Sequence, residues 1–344
     1  MSGGSTELTG VATWEDPAWQ ASAVEWAAGQ LDRLGRSVDG EPEQPHVRPW
    51  STVIRLDVAG GPVWLKSVGA GSAQEPPLSA ALAEWIPGRV LRPLAVHAGR
   101  RLMLLPDGGP TLRATGASAS VAAWEAMLAD YARLQVDLAP HAADMVSLGV
   151  PDAGPGRLPA LVAELLADDD AMLLDRPDGL PTAVRGRITA ELATYAECCR
   201  RLAEGGVPLS LQHDDLHDNN VFLADGGHRF FDWGDATVSH PFVSLLVPLR
   251  AASRALGIDD GDPQLLRLRD AYLEPWSAYG APAHLRSLCR LALRVAPPAR
   301  ALTWHRILGG IRAAERGEWA DSVPGWMAEY LAPGSLDHAP EAAP

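Results

Sequence analysis

At 344 residues the chain exceeds one ordinary domain, and it can bury a sizeable core as one large domain or two lobes. An apolar fraction of 47% with 21% charged residues is globular and excludes a largely disordered or fibrous chain. The formal net charge of −14 repels nucleic-acid phosphate and anionic lipid headgroups, so neither a nucleic acid nor a membrane is an expected partner.

In chain order, MSGGSTELTG opens the sequence as a flexible segment of small and polar residues. The stretch 17–36 places Trp19, Ala23, Trp26, Ala27, Leu31 and Leu34 at three- and four-residue steps, which predicts an amphipathic helix ended by Gly35. DGEPEQPHVRP reads as a Pro/Glu linker. STVIRLDV and GPVWLKSV then read as two strands joined by Ala-Gly-Gly-Pro. PLSAALAEWI predicts a short helix, and RVLRPLAVHA with RRLMLLP two more strands. Asp107-Gly108-Gly109-Pro110 is the expected hinge. Beyond it helices dominate: ASVAAWEAMLADYARLQVDL, LPALVAELLADD, VRGRITAELATYAECCRRLAEGG, and then FVSLLVPLRAASRALG, PQLLRLRDAYLEPWSAYG and HLRSLCRLALRV. The sequence thus divides into an extension with one helix (1–45), a small β-rich lobe (46–108), a large helical lobe (109–332) and a flexible tail (333–344). The expected fold class is α+β with two lobes, and a ligand is expected in the cleft between them.

Three cysteines, Cys198, Cys199 and Cys289, form neither a disulfide framework nor a zinc pattern. No basic-then-apolar leader and no membrane-length apolar run is evident, so a cytoplasmic location is expected.

One stretch interrupts the helical lobe. LSLQ is strand-like, HDDLHDNN cannot continue a buried strand, and NVFLA with HRFFD reads as a hairpin around Asp225-Gly226-Gly227. The hairpin brings Asp215, Asn220 and Asp232 together. Mg²⁺ takes few protein oxygens, which Asn220 and Asp232 supply. Asp215 is then left to accept a hydrogen bond from a substrate hydroxyl. His213, Asp215 and Asn220 match the kinase catalytic-loop spacing H-x-D-x-x-x-x-N, and Asp232-Trp233-Gly234 stands where that pattern has D-F-G. A polar turn without chemistry would not need both elements in this order.

Phosphoryl transfer also needs a cation on the nucleotide phosphates. Lys66, inside VWLKSV, is the only lysine in the sequence. A lone lysine at a strand edge usually snorkels to solvent, but its place in a β lobe upstream of HxDxxxxN favours a paired role. Its expected partner is Glu75, just before the following helix, with Glu84 as the alternative.

These residues resemble the aminoglycoside phosphotransferase family, a branch of the protein-kinase-like fold. The family's H-G-D-L-H-x-x-N is matched by His213 to Asn220, its hydrophobic-D-W by Phe231-Asp232-Trp233, its lysine strand by VWLKSV, and its hinge by LMLLPDGGPTLR. The similarity runs over about residues 48–300. It implies an O-phosphotransferase using ATP or GTP with Mg²⁺. In that reading Asp215 is the catalytic base, Asn220 and Asp232 hold the metal, and Lys66 with Glu75 positions the phosphates. Main-chain groups around Leu105, Pro106 and Asp107 face the adenine, and His213 braces the loop. Three departures stand out. Asp214 replaces the family's loop glycine. No G-x-G-x-x-G covers the phosphates, and RPWSTVIRL, with Ser51 and Thr52, is the nearest candidate. Ser244 lies near the point where the family often has a further acid.

Members resembling this chain phosphorylate aminoglycosides, other antibiotics, choline, homoserine or sugars. A small-molecule hydroxyl acceptor is therefore expected, cationic or polyhydroxylated. Asp235, Asp270, Glu274 and Glu315 are candidate ammonium-binding acids, and Trp276, Trp304, Trp319 and Trp326 candidate pocket walls. The alternative is a catalytically quiet nucleotide-binding protein of the same fold. A hydrolase using His213 and Asp215 lacks a nearby nucleophile.

Overall fold

The computed structural model describes residues 8–174, 176–224, 226–332, 334 and 336. Asp225 of the expected hairpin turn, the first seven residues, and all of the expected flexible tail but Gly334 and Leu336 lie outside them. The described residues form two compact units. One comprises 8–109, Phe231–Asp235 and His305–Ala320; the other comprises Pro110–Phe230, Ala236–Trp304 and the residues from Asp321 onward.

The first unit begins with a short turn of helix, α1 (Val11–Trp14), and the amphipathic helix α2 (Pro17–Arg33). Asp16 caps α2 by accepting a hydrogen bond from Ala18 N, and Pro17 opens it where a missing N–H costs nothing. The helix closes in a Schellman arrangement: Gly35 takes φ 70°, Gly35 N donates to Asp32 O and Arg36 N to Leu31 O.

Five antiparallel strands follow, β1 (Val38–Arg48), β2 (Ser51–Val58), β3 (Val63–Val68), β4 (Ala95–His97) and β5 (Leu102–Pro106), in the order β1-β2-β3-β5-β4. The segment read as a Pro/Glu linker is strand β1, a correction with a clear cause. β1 lies at the sheet edge, where proline's missing donor is tolerated. Its register slips between Asp39 and Glu43 and again between Glu43 and His46, the intervals that hold Pro42 and Pro45.

The two-residue period of the strands sends Ile54, Leu56, Val58, Val63, Leu65, Leu102 and Leu104 to one face. There they pack with Ala23, Ala27 and Leu31 of α2. Each large side chain so buried contributes roughly 1.5–3 kcal/mol. The initial helix therefore shares the core of the small lobe. Lys66, next to Leu65 on β3, projects to the other face, where α3 (Glu75–Trp85) begins.

The second unit is mainly helical: α4 (Val121–Leu138), α5 (Ala142–Ser147), α6 (Leu158–Ala167), α7 (Thr182–Glu204), α8 (Leu246–Leu256), α9 (Pro263–Leu273), α10 (Pro282–Gly309, whose last turn belongs to the first unit) and α11 (Ser322–Glu329). Two small sheets interrupt it. β6 (Ser210–Gln212) pairs with β9 (Thr237–Ser239), and β7 (Val221–Ala224) with β8 (Gly227–Phe230). The center of this unit is α4, which buries Trp124, Met127, Leu128, Tyr131, Leu134 and Gln135 and packs along α9. α10 contains the expected helical stretch HLRSLCRLALRV and continues beyond it through Pro297 and Pro298 to Gly309. Two prolines remove two intrahelical donors. Burial of Val295, Ala296, Ala299 and Ala301 outweighs that loss. All three cysteines are buried free thiols. Among the described residues no helix is long and apolar enough to cross a membrane.

His240, fully buried after β9, accepts a hydrogen bond from Phe242 N and caps the 3-10 turn Pro241–Leu245. Burial depresses its pKa to about 3. A histidine kept neutral in the fold but free to protonate when unfolded stabilises fully above about pH 6.5, and loses that contribution as pH falls toward 3. Between pH 6.5 and 5 this group alone removes about 2 kcal/mol of unfolding free energy. In His240→Asn, which retains a capping acceptor, that part of the acid slope is expected to vanish in urea titrations at pH 7 and 5. An unchanged slope would refute the assignment.

Candidate active site

In the first unit, β3 carries Lys66 between two acids. Lys66 Nζ lies 2.6 Å from Glu75 Oε1 and 2.6 Å from Asp232 Oδ1. Glu75 is the first residue of α3, and a short connection from β3 brings it under Lys66, as the sequence reading chose. Glu84 instead pairs with Arg92. Lys66 is 8% exposed and Glu75 1%. Burial opposes the ammonium, but the charges and hydrogen bonds of Asp232 and Glu75 outweigh it and hold the Lys66 pKa above its ordinary value. Burial pushes the Glu75 carboxyl up to about 7 against the pull of Lys66.

Asp232 arrives from 166 positions downstream. It has φ 68°, and Trp233 N donates to Glu75 Oε1, so the Asp-Trp-Gly turn is fastened to α3 as well as to β3. A non-glycine residue in this left-handed region costs about 1 kcal/mol, a strain typical of functional turns. A Cβ on Gly234 would sit 3.2 Å from Glu75 Oε2 and 3.2 Å from Ser72 Oγ, which accounts for glycine there. Arg306 Nη1 donates to Gly71 O and Gly234 O, and Nη2 to Asp235 O, so α10's last turn clamps the same segment.

The other nucleotide candidates lie in this unit too. Ser51 opens β2 opposite Arg48 and Val68 and is buried. Thr52 Oγ1 donates to His46 O and accepts from Gln44 Nε2, so its hydroxyl is committed to the sheet. The β1–β2 turn is pinned in place of a glycine loop. Trp50 packs edge-on to Trp319 with centroids 4.8 Å apart, Arg48 lies 6.0 Å from the same ring, and Gly69 N donates to Trp50 O at 2.7 Å. Leu105 pairs with Trp64 of β3, and Asp107 Oδ1 accepts from Trp64 Nε1. The pairing of β4 with β5 ends at Leu104, before Leu105–Asp107.

In the second unit, β6 leads into the catalytic-loop candidate. Tyr131 and Gln135, one turn apart on α4, hold it: His213 N donates to Tyr131 OH at 2.9 Å, and Gln135 Nε2 to Leu211 O at 2.7 Å. Gln135 Nε2 also donates to Ser244 Oγ, so a neutral amide–hydroxyl pair stands where the resembled family often has an acid. Buried His213 accepts at Nδ1 from Asp215 N at 3.4 Å. Asn220 Nδ2 donates to Asp215 O at 3.0 Å, closing the loop on itself.

Asp215 is 37% exposed at its side chain. Arg300 Nη2 donates to its Oδ1 at 3.0 Å, and His217 Nε2 lies 3.6 Å from its Oδ2. Burial would raise its pKa; His217, Arg300 and His213 together overcome that and hold it far below the usual carboxylate range. Asp214, in place of the family glycine, has φ 65° and its own donors, Gln212 Nε2 and Thr303 Oγ1. Sequence reasoning missed Arg300, Thr303, Arg306, Tyr131 and Gln135. Only the polar side chains spaced along apolar helical runs could have signalled them.

The residues suit a hard cation. Asn220 Nδ2 is spent on the loop, so Oδ1 is the atom it could offer a cation. Asp232 is 45% exposed at its side chain and uses Oδ1 on Lys66. Among the described residues no group of three or more His, Cys, Asp or Glu side chains could hold a metal. Of the acceptor-binding candidates, Asp270 is engaged by Arg269 and Arg286, and Glu315 by Arg312 and Ala12 N. Trp276 is wholly buried in the core, Trp319 packs on Trp50, and Trp326 lies 5.0 Å under Arg250.

Comparison with known proteins gives a consistent picture. Residues 62–285 match the profile of APH, described as "Phosphotransferase enzyme family". No curated protein matches the sequence. Among solved structures the chain is similar to a choline/ethanolamine kinase family protein from Mesorhizobium loti, at TM-score 0.57 and 14% identity over 92% of this chain and 97% of that one. It is also similar to macrolide 2'-phosphotransferase type I, at TM-score 0.52 and 16% identity over 92% and 98%. Aminoglycoside phosphotransferase APH(4)-Ia aligns at TM-score 0.53 and 14% identity over 91% and 100%. At such identities the likeness establishes a shared kinase-like fold.

Proposed function

The chain belongs to the APH phosphotransferase enzyme family, and from that premise we propose that it transfers the γ-phosphoryl group of ATP to a hydroxyl of a small, cationic molecule. The observation that carries this reading is the position of Lys66. The only lysine of the sequence is buried and held at 2.6 Å by both Glu75 and the aspartate of the Asp-Trp-Gly turn. A structural lysine has no need of two carboxylates so far apart in sequence.

In this reading Lys66 binds phosphate oxygens while Glu75 keeps it aimed, and the main chain of Leu105–Asp107 binds the base. Asp232 and Asn220 would supply the metal's protein oxygens. Mg²⁺, when bound, offsets the charge of the phosphates. Asp215 accepts a hydrogen bond from the acceptor hydroxyl and takes its proton as the new oxygen–phosphorus bond forms and the bond to the leaving ADP oxygen breaks. The carboxylate then passes that proton to water. Its main contribution is orientation, which suits a loose phosphoryl transition state. The net charge of −14 supports a cationic acceptor by long-range attraction.

The test is a nucleotide-turnover assay with Mg²⁺, run with ATP and GTP in parallel, across hydroxylated amines: aminoglycosides, macrolides, choline and ethanolamine. Stoichiometric ADP and phosphoester with at least one acceptor is the expected result. Failure to bind Mg-nucleotide would sink the proposal, whereas binding without transfer to any acceptor would favour a quiet nucleotide-binding protein.

A further inference from the structure

Arg300 and Asp214 make a pair that the reaction above does not use. Arg300 sits on α10 and is 4% exposed. Nη2 reaches Asp215 Oδ1 at 3.0 Å, Nη1 lies 3.6 Å from Asp214 Oδ2, and the guanidinium carbon is 5.6 Å from the Trp304 ring centroid. Thr303, one turn on, donates to the same Asp214 oxygen, and Gln212 Nε2 donates to the other at 2.7 Å. One helical face thus presents two donors to two successive aspartates.

We propose that Arg300 is a positioning residue that aims the Asp215 carboxylate, and that Asp214 is the anchor that fixes Arg300. The inference deepens the proposed function and rests on Asp215 orienting the acceptor hydroxyl. A partly exposed carboxylate turns about two side-chain bonds, whereas transfer needs it held within a fraction of an ångström. A buried guanidinium, gripped from behind by Asp214 and Trp304, supplies that hold. The backbone at position 214 is left-handed, a conformation that glycine adopts freely. A carboxylate there, bonded on both oxygens, has a use that glycine cannot serve.

The test is a double-mutant cycle in the full chain, read as kcat and KM for Mg-ATP in transfer or, without an acceptor, in ATP hydrolysis. Arg300→Met is expected to lower kcat about 10–100-fold, the scale of a misplaced catalytic group, with KM unchanged. Arg300→Lys should recover part of the loss, and Asp214→Gly should fall between wild type and Arg300→Met. In the Asp215→Asn background Arg300→Met should cost nothing further. Full multiplication of the two losses, or equal losses in Arg300→Met and Arg300→Lys with matching drops in Tm, would overturn the proposal. Asp215→Asn alone being silent would instead indict the underlying role of Asp215. Should no variant turn over nucleotide, crystals of Arg300→Met decide: a displaced Asp215 carboxylate supports the proposal, and an unmoved one overturns it.

Discussion

Asp215→Asn is expected to reduce kcat for phosphoryl transfer by about 10²–10⁴-fold, the usual contribution of a positioned proton acceptor, while Mg-nucleotide affinity stays within about twofold. The substitution is nearly isosteric. An asparagine carbonyl oxygen can still accept from Arg300 Nη2, and the loop bonds made by the main chain of residue 215, to His213 and Asn220, do not involve the side chain. Tm should nevertheless fall, because the charge that Arg300 and His217 stabilise is gone, so unchanged Mg-nucleotide affinity serves as the control for folding. What is lost is the second acceptor oxygen and the negative charge that orients a hydroxyl. A rate within tenfold of wild type, at unchanged Mg-nucleotide affinity, would show that another group aims the acceptor.

The candidate site was legible as a candidate because it is local and unusual in composition. HDDLHDNN and the Asp-Trp-Gly turn carry their groups at fixed spacing, and Lys66 stands alone in the sequence, so both could be read without knowing the packing. β1 was hidden because Pro42 and Pro45 read as linker punctuation; only its edge position, a property of the sheet, makes them acceptable. Arg300 and Thr303 were hidden for a related reason. Both lie on α10 past Pro297-Pro298, and the sequence does not show which face of that helix meets Asp214 and Asp215. The helix persists because tertiary burial of the alanines around the prolines outweighs local propensity. The family's missing acid at Ser244 was visible as a departure. Its replacement was not, because Gln135 lies 109 positions earlier and meets Ser244 only through the packing of α4.

Lys66→Met is the second substitution with a large expected effect, and it separates catalytic from structural consequences. Methionine fills similar volume without charge. Transfer should fall by about 10²–10³-fold, the cost of losing one group that stabilises transition-state charge. Stability should fall as well, because removing one member of a buried pair leaves its partners uncompensated, at roughly 3–5 kcal/mol. That deficit should depend on pH. Burial already places Glu75 at about 7 with Lys66 present, above its ordinary 4.5, and without the ammonium it rises further. A carboxyl whose folded pKa exceeds its unfolded one loses stability as pH climbs from the unfolded value through the folded value, and keeps it where it is protonated in both states. The deficit of Lys66→Met relative to wild type is thus expected to be largest near pH 8 and to shrink toward pH 5.5, where Glu75 is neutral. Urea unfolding of both proteins at the two pH values measures this directly. Equal deficits at both would mean that the buried charge left behind is not that of Glu75, and the pairing of Lys66 with α3 would lose its energetic meaning.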